Sequence, residues 1–287
     1  MIPKIIHQTG PTDQSKWHPL WFKCQASWKQ NFHEFEYRFW NDDEIDELVK
    51  NCFPQYWPMY NEFPIHILKI DFVRLCLMYE YGGIYADLDY YCYSNFYEDL
   101  KDEVYLVENP LGNDPIENSL MCSAPKHNFW IECMELTKKR YEHVKLKFPE
   151  RLSYLKEICE NEKYGLLIRP HLVFYITGTN HLSSAARMTK ENVSTLPGIL
   201  YNNNDISYHA DYKTRHIHTG IWGKETIGVF EKNEHHQNTL RNISIKDFDF
   251  YTDYSNGHFL KENDIDFNKN EADEELSLNK KLNYEYS

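Results

Sequence analysis

The sequence predicts an α/β fold, and three observations carry that reading. Short β-branched or aromatic runs alternate with segments of helical period, in the opening order strand, helix, strand. The longest helical segment is closed by a glycine pair and followed at once by a short apolar strand. The 287 residues, 41% hydrophobic and 16% aromatic, are enough for one large α/β domain or two small ones with a substantial core.

Ile2 to Ile6 is β-branched and precedes the polar His7-Gln8-Thr9-Gly10, which predicts a buried first strand ending in a loop. Pro19 to Gln30 carries Leu20, Trp21, Cys24 and Trp28 at helical spacing, and Glu36 to Trp40 reads as the second strand. Asn41 and Asp42 are N-cap residues for a short helix towards Lys50. The strongest helix runs from Ile65 to Tyr81, with Pro64 at its start and Gly82-Gly83 at its end. Its buried stripe is Leu68, Phe72, Leu75, Cys76 and Tyr79. Ile84-Tyr85-Ala86 is then a strand that stops at Asp87.

Further strands are expected at Val104 to Val107 and Leu120 to Ser123, with helices at Phe129 to Val144 and Asn180 to Lys190. Leu166 to Ile168 and Val173 to Tyr175 are apolar but too short to assign. His216 to Trp222 alternates and closes the compact part. Residues 1–231 are therefore read as the folded domain and 232–287 as a polar, acidic extension, ordered only in part.

The formal net charge of −13 argues against a protein that grips nucleic-acid backbones, whose affinity comes largely from Lys and Arg. Seven Cys without CxxC spacing are expected to be reduced and mostly buried. No apolar run reaches signal-peptide or membrane-span length, so the expectation is a soluble, cytoplasmic protein without an anchor of its own. Asn192-Val193-Ser194 and Asn242-Ile243-Ser244 match the glycosylation acceptor pattern, which is common by chance.

The chemistry concentrates around Asp87-Leu88-Asp89. Two carboxylates one residue apart would point to opposite faces of a strand, but beyond a strand end the backbone can turn and bring both to one cation. Mg²⁺ or Mn²⁺ suits such ligands, and both metals usually leave part of their shell to substrate phosphates. Upstream, Asp71 and Arg74 share one face of the long helix within an apolar stretch, where burial requires pairing or a polar ligand.

Taken together, Ile2-Pro3-Lys4-Ile5-Ile6-His7-Gln8, then Asp71-x-x-Arg74, then Tyr81-Gly82-Gly83-Ile84-Tyr85-Ala86-Asp87-Leu88-Asp89 resemble the glycosyltransferase family with the DXD sugar-binding region. That family includes fungal Golgi and sphingolipid mannosyltransferases and bacterial capsular polysaccharide enzymes. The likeness is strong from Ile2 to about Tyr91 and looser from Asn118 to Trp222.

The resemblance implies a GT-A type single domain, with a Rossmann-like mixed sheet flanked by helices. It also implies a nucleotide-sugar donor (GDP-mannose or a UDP-hexose), Mn²⁺ or Mg²⁺, a hydroxyl-bearing acceptor such as a glycan, and retention of anomeric configuration. Asp87 corresponds to the first DXD carboxylate, near the donor and the metal, and Asp89 to the direct metal ligand. Asp71 and Arg74 match the positions that hold the donor sugar and its diphosphate, and His7-Gln8-Thr9 the segment lining the nucleotide base. Asn118 matches an Asn that faces the sugar, and Gly178 an acceptor loop, although the family's following Pro is Thr179 here. A late His is the remaining metal candidate: His216 and His218 both occur in HIHTGIW, and His218 fits the family's His-before-Trp pattern more closely. Trp222 would wall the donor pocket.

Two other classes compete. In an aspartyl-nucleophile phosphatase Asp87 would attack and Asp89 would act as acid, but that pattern expects Thr or Val where Tyr91 stands. A sugar- or nucleotide-binding protein on a degenerate glycosyltransferase scaffold is the other, against which the joint presence of Asp71, Arg74, Asp87 and Asp89 counts.

Overall fold

The computed structural model describes residues 1–109, 114–147, 149, 152–153, 171–202 and 211–217. Two sheets organise them. The six-stranded sheet has the order β2-β1-β3-β6-β5-β7, built from β1 (Ile5–Thr9), β2 (Glu36–Trp40), β3 (Gly83–Ala86), β5 (Val104–Glu108), β6 (Ile116–Ser123) and β7 (Ser194–Leu196). β1 lies parallel to both β2 and β3, β6 runs antiparallel between β3 and β5, and β7 returns parallel to β5. A two-stranded antiparallel ribbon pairs β4 (Tyr90–Cys92) with β8 (Thr214–His216). The α/β class and the mixed sheet flanked by helices are as the sequence predicts.

Helix α1 (Pro19–Asn31) makes the β1-to-β2 crossover. Asn41 caps α2 (Asp42–Cys52) reciprocally with Glu44. A helix that the sequence reading did not anticipate, α3 (Trp57–Glu62), leads into α4 (His66–Glu80). Nine residues of α4 are buried, Asp71 and Arg74 among them, because it packs against β3, β6 and α5 (Asn128–Lys147) in the largest of three core clusters among the described residues. The short apolar run around Val173 is a helix, α6 (His171–Ile176). It is followed by α7 (Thr179–Met188) and α8 (Gly198–Tyr201).

Gly82 and Gly83 end α4 at φ +64° and +88°, a backbone region that side chains disfavour. A Cβ on Gly82 would lie 2.5 Å from the Ser123 carbonyl oxygen, and one on Gly83 the same distance from that of Ile5. The pair turns the chain from helix to central strand in the space of two residues, which aims the end of β3 at the site.

One boundary differs from expectation. The first strand is Ile5–Thr9, so His7, Gln8 and Thr9 lie within it and not in a loop. These polar side chains occupy a buried strand because each is hydrogen-bonded there. Their polarity, read alone, resembles a loop. Cys24, Cys76, Cys92, Cys122 and Cys133 are buried free thiols, as expected, whereas Cys52 is exposed. Cys159, His218, Gly220, Trp222 and the 232–287 extension lie outside the described residues. Among the described residues no helix is long and apolar enough to cross a membrane.

Candidate active site

The site forms where β3 runs out. Asp87 anchors its amide to the Ser119 carbonyl at 2.8 Å, and its own carbonyl accepts from the Tyr90 amide at 3.0 Å. This tight turn moves the chain off the main sheet and onto the ribbon. β4 then pairs with β8 so that Tyr90 faces His216, and the Ile217 amide donates to the Asp89 carbonyl at 3.0 Å. The turn and the ribbon together gather Asp87, Asp89 and His216, whose potential ligand atoms all lie within 4.8 Å of one another.

Behind the turn, α4 supplies a buried ion-pair network. Arg74 Nη2 reaches Asp87 Oδ1 at 2.9 Å, while Nη1 lies 3.2 Å from Asp71 Oδ1 and donates to the Asn118 carbonyl at 2.9 Å. Asp71 Oδ1 also accepts from the Asn118 side-chain amide at 3.0 Å, and its Oδ2 from the Thr177 hydroxyl at 3.1 Å. Tyr85 donates to Asp87 Oδ1 at 2.8 Å, and its ring lies under the Arg74 guanidinium, 5.3 Å away. One guanidinium thus holds a buried and a partly buried carboxylate, the fork geometry in which Arg is effective.

Electrostatics follow from this crowding. Burial pushes the Asp87 carboxyl up to about 6, opposed by Arg74 and reinforced by the neighbouring Asp89. Burial raises Asp71 too, against the pull of Arg74 and its hydrogen bonds to Thr177 and Asn118. His216 is held well above the ordinary histidine value: burial works against its charge, but Asp89 and Glu117 outweigh that effect. Two acids and an imidazole that share so small a volume form a donor set suited to a divalent cation. His216 Nε2 and Asp89 Oδ1 are 3.2 Å apart, close to the roughly 3 Å between adjacent ligands at right angles on bonds of about 2.1 Å. The residues fit a divalent metal.

The β1 residues divide into two roles. Gln8 donates to the Asp87 carbonyl at 3.0 Å and accepts from the Tyr37 hydroxyl at 2.6 Å, and Thr9 is 3.0 Å from the Tyr85 hydroxyl, so Gln8 braces the DXD turn directly and Thr9 does so through Tyr85. His7 is fully buried. Its Nε2 donates to the Gly82 carbonyl at 2.9 Å and its Nδ1 accepts from the Trp40 indole at 3.0 Å. It locks the glycine turn to β1 from behind the site wall.

The structure thus brings together Asp71, Arg74, Asn118, Asp87, Asp89, Gln8 and Thr9. Of the two late histidines, His216 stands beside the carboxylates, while His218, the one preferred from sequence, and Trp222 fall outside the described residues. Sequence reasoning missed Glu117, which meets His216 Nδ1 at 3.3 Å, as well as Thr177 and the hydroxyl of Tyr85. The D-x-D alternation with Tyr85 one pleat before Asp87 was a usable signal for the last; nothing local marked the other two.

Residues 19–111 match the family described as the glycosyltransferase sugar-binding region containing the DXD motif. Over that stretch the chain is similar to a DXD glycosyltransferase region. An inositol phosphoceramide mannosyltransferase of Schizosaccharomyces pombe is 33% identical over 132 residues, which are 46% of this chain and 36% of that protein. A mannosyl phosphorylinositol ceramide synthase of Saccharomyces cerevisiae is 29% identical over 48% of this chain and 35% of its own length. An uncharacterized glycosyltransferase of Acanthamoeba polyphaga mimivirus is 31% identical over 44% and 52%. The matches span between about a third and a half of these relatives' lengths. Among solved structures, the PaToxG glycosyltransferase covers 64% of this chain and 68% of its own at 11% identity and a TM-score of 0.42. A glycosyltransferase involved in glycosylation of the major capsid of PBCV-1 covers 76% and 95% at 12% identity and a TM-score of 0.36.

Proposed function

We propose that this glycosyltransferase region moves a hexose from a nucleotide-sugar, GDP-mannose or a UDP-hexose, to a hydroxyl of a glycan, lipid or protein, with a divalent cation and with retention of configuration. The observation that carries the reading is the convergence of Asp87, Asp89 and His216 at the end of a central strand, immediately above the Asp71–Arg74–Asn118 network. Open α/β sheets place their ligands at this end of the strands. The mannosyl relatives favour GDP-mannose as the first donor to test.

In this reading Asp87, Asp89 and His216 would hold the cation, which would supply positive charge to the leaving diphosphate. Arg74 favours the ionised form of Asp87 against the opposing effect of burial. Asp71 Oδ1 is used by two donors and Oδ2 by one, so a lone pair on Oδ2 remains for a sugar hydroxyl. Asn118 fixes that carboxylate and, through its carbonyl, the guanidinium beside it. Gln8, Thr9 and Tyr85 hold the turn rigid, so little reorganisation would be needed when the donor binds.

The deciding experiment incubates the protein with Mn²⁺ and each of a panel of GDP- and UDP-sugars, without acceptor, and measures nucleotide release with and without EDTA. Release from one donor, stopped by EDTA and abolished in Asp89→Ala, is the expected result. No release from any donor, together with no metal-dependent donor binding, would leave a binding protein on a retired scaffold.

A further inference from the structure

We propose that Glu117 is a positioning residue of the metal site: it holds the His216 ring so that Nε2, and not Nδ1, faces Asp87 and Asp89. The inference rests on the reading of these three residues as a metal centre. His216 sits between two carboxylates, with Nε2 3.2 Å from Asp89 Oδ1 and Nδ1 3.3 Å from Glu117 Oε1. A neutral imidazole offers a lone pair at one nitrogen only, and the other must carry the proton. Both nitrogens face a carboxylate, so when a cation takes the Nε2 lone pair the proton is left on Nδ1, on the side of Glu117.

Glu117 is placed for this task by the strand it sits on. The register between β5 and β6 shifts, so that Leu106 pairs with Met121 while the next residue, Val107, pairs with Glu117. The three intervening residues of β6 bulge, and a bulge of this kind re-aims side chains. Within it Asn118 meets Asp71, and at its edge Glu117 meets His216. The second Glu117 oxygen accepts from the side-chain amide of Asn202, a buried residue just beyond α8 that also donates to the Glu108 carbonyl at 3.3 Å. The carboxylate is thus pinned between a fixed amide and the ring.

The ring itself needs such a hold. β8 is three residues long, and its pairing with β4 fixes backbone register without fixing a side-chain torsion. Stacking on Tyr90, with centroids 4.8 Å apart and planes inclined by 23°, sets the plane of the ring. Stacking is indifferent to which nitrogen faces the carboxylates, and Glu117 supplies that choice.

The test uses the full chain and Mn²⁺ alone, with affinity read by titration calorimetry for wild type, E117A, E117Q, H216A and the E117A/H216A double variant. Loss of an orienting partner of this kind typically weakens metal binding about 10- to 100-fold; that is the expectation for E117A, with a smaller loss for E117Q, which keeps an acceptor oxygen. In the H216A background E117A should cost nothing further, since its effect passes through the ring. Nitrogen NMR of the Mg²⁺-loaded wild type should find Nδ1 protonated and Nε2 facing the metal, a readout that survives even if E117A fails to fold. Wild-type affinity in E117A, a full additional loss in the double variant, or a protonated Nε2 would each overturn the inference. Wild type that binds no Mn²⁺ would overturn the metal reading itself, and this inference with it.

Discussion

Arg74 is the residue on which both halves of the site depend, because it is the shared counter-charge of Asp71 and Asp87. Arg74→Met removes that charge and leaves the buried Asp71 and the partly buried Asp87 without their counter-ion. Breaking a buried pair by deleting one partner costs about 3–5 kcal/mol, so urea unfolding at neutral pH should show a loss of that size. Arg74→Lys should recover only part of it, since an ammonium cannot fork to two acids; a full recovery would mean that the geometry of the fork is irrelevant. His7 yields a second residue-scale expectation. Burial, aided by Arg38 and opposed by the hydrogen bond to Gly82, lowers its pKa to about 4 from an ordinary 6.5. Between those values the unfolded chain binds a proton that the folded one refuses, so stability falls as pH drops from 6.5 towards 4, by roughly 3 kcal/mol for this group. The buried His181, lowered to about 3, adds in the same direction over the same window. His7→Gln, which keeps a donor for the Gly82 carbonyl, should flatten its share of that slope in urea titrations at pH 7 and pH 4.5. An unchanged slope would show that His7 is not held neutral.

At the scale of elements, the turn from α4 to β3 is the joint that matters. Gly82→Ala places a Cβ 2.5 Å from the Ser123 oxygen and 2.6 Å from the Pro125 nitrogen, both backbone atoms, at a φ that itself costs about 1–2 kcal/mol. The melting temperature should fall by several degrees or more, at roughly 2–4 °C per kcal/mol for a domain of this size; an unshifted Tm would mean that the turn can relax cheaply. This joint was legible in the sequence, as were β2 and α4, because glycine pairs, caps and helical periodicity are local signals. The end of β1 was not, since buried His7, Gln8 and Thr9 owe their place to partners more than seventy residues away. For the same reason Asp71, Arg74, Asp87 and Asp89 could be read from spacing and Asn118 only from the family resemblance, while Glu117 and Thr177 could not. A bulge in β6 and a turn before α7 deliver those two side chains, and neither has a local pattern that names its target.

At the scale of the whole molecule, the proposed cation site exists only in the folded chain. Asp87 and Asp89 come from the end of β3, and His216 comes from a strand near the end of the described residues, brought back by the β4–β8 pairing. A ligand that binds the native state alone stabilises it by mass action, about 2.7 kcal/mol at a hundred times its Kd. Mn²⁺ at that level should therefore raise the melting temperature by roughly 5–10 °C, and EDTA should reverse the rise. A chain with a net charge of −13 will also attract cations diffusely, so the control has to be a single side chain. Asp89→Asn removes one ligand, relieving the repulsion with Asp87 while giving up the ion pair with His216, so its own metal-free melting temperature is the reference for its shift. The same variant should lose most of the Mn²⁺-dependent rise. A shift of wild-type size in Asp89→Asn would place the stabilising cation elsewhere on the acidic surface and remove this turn from the metal chemistry.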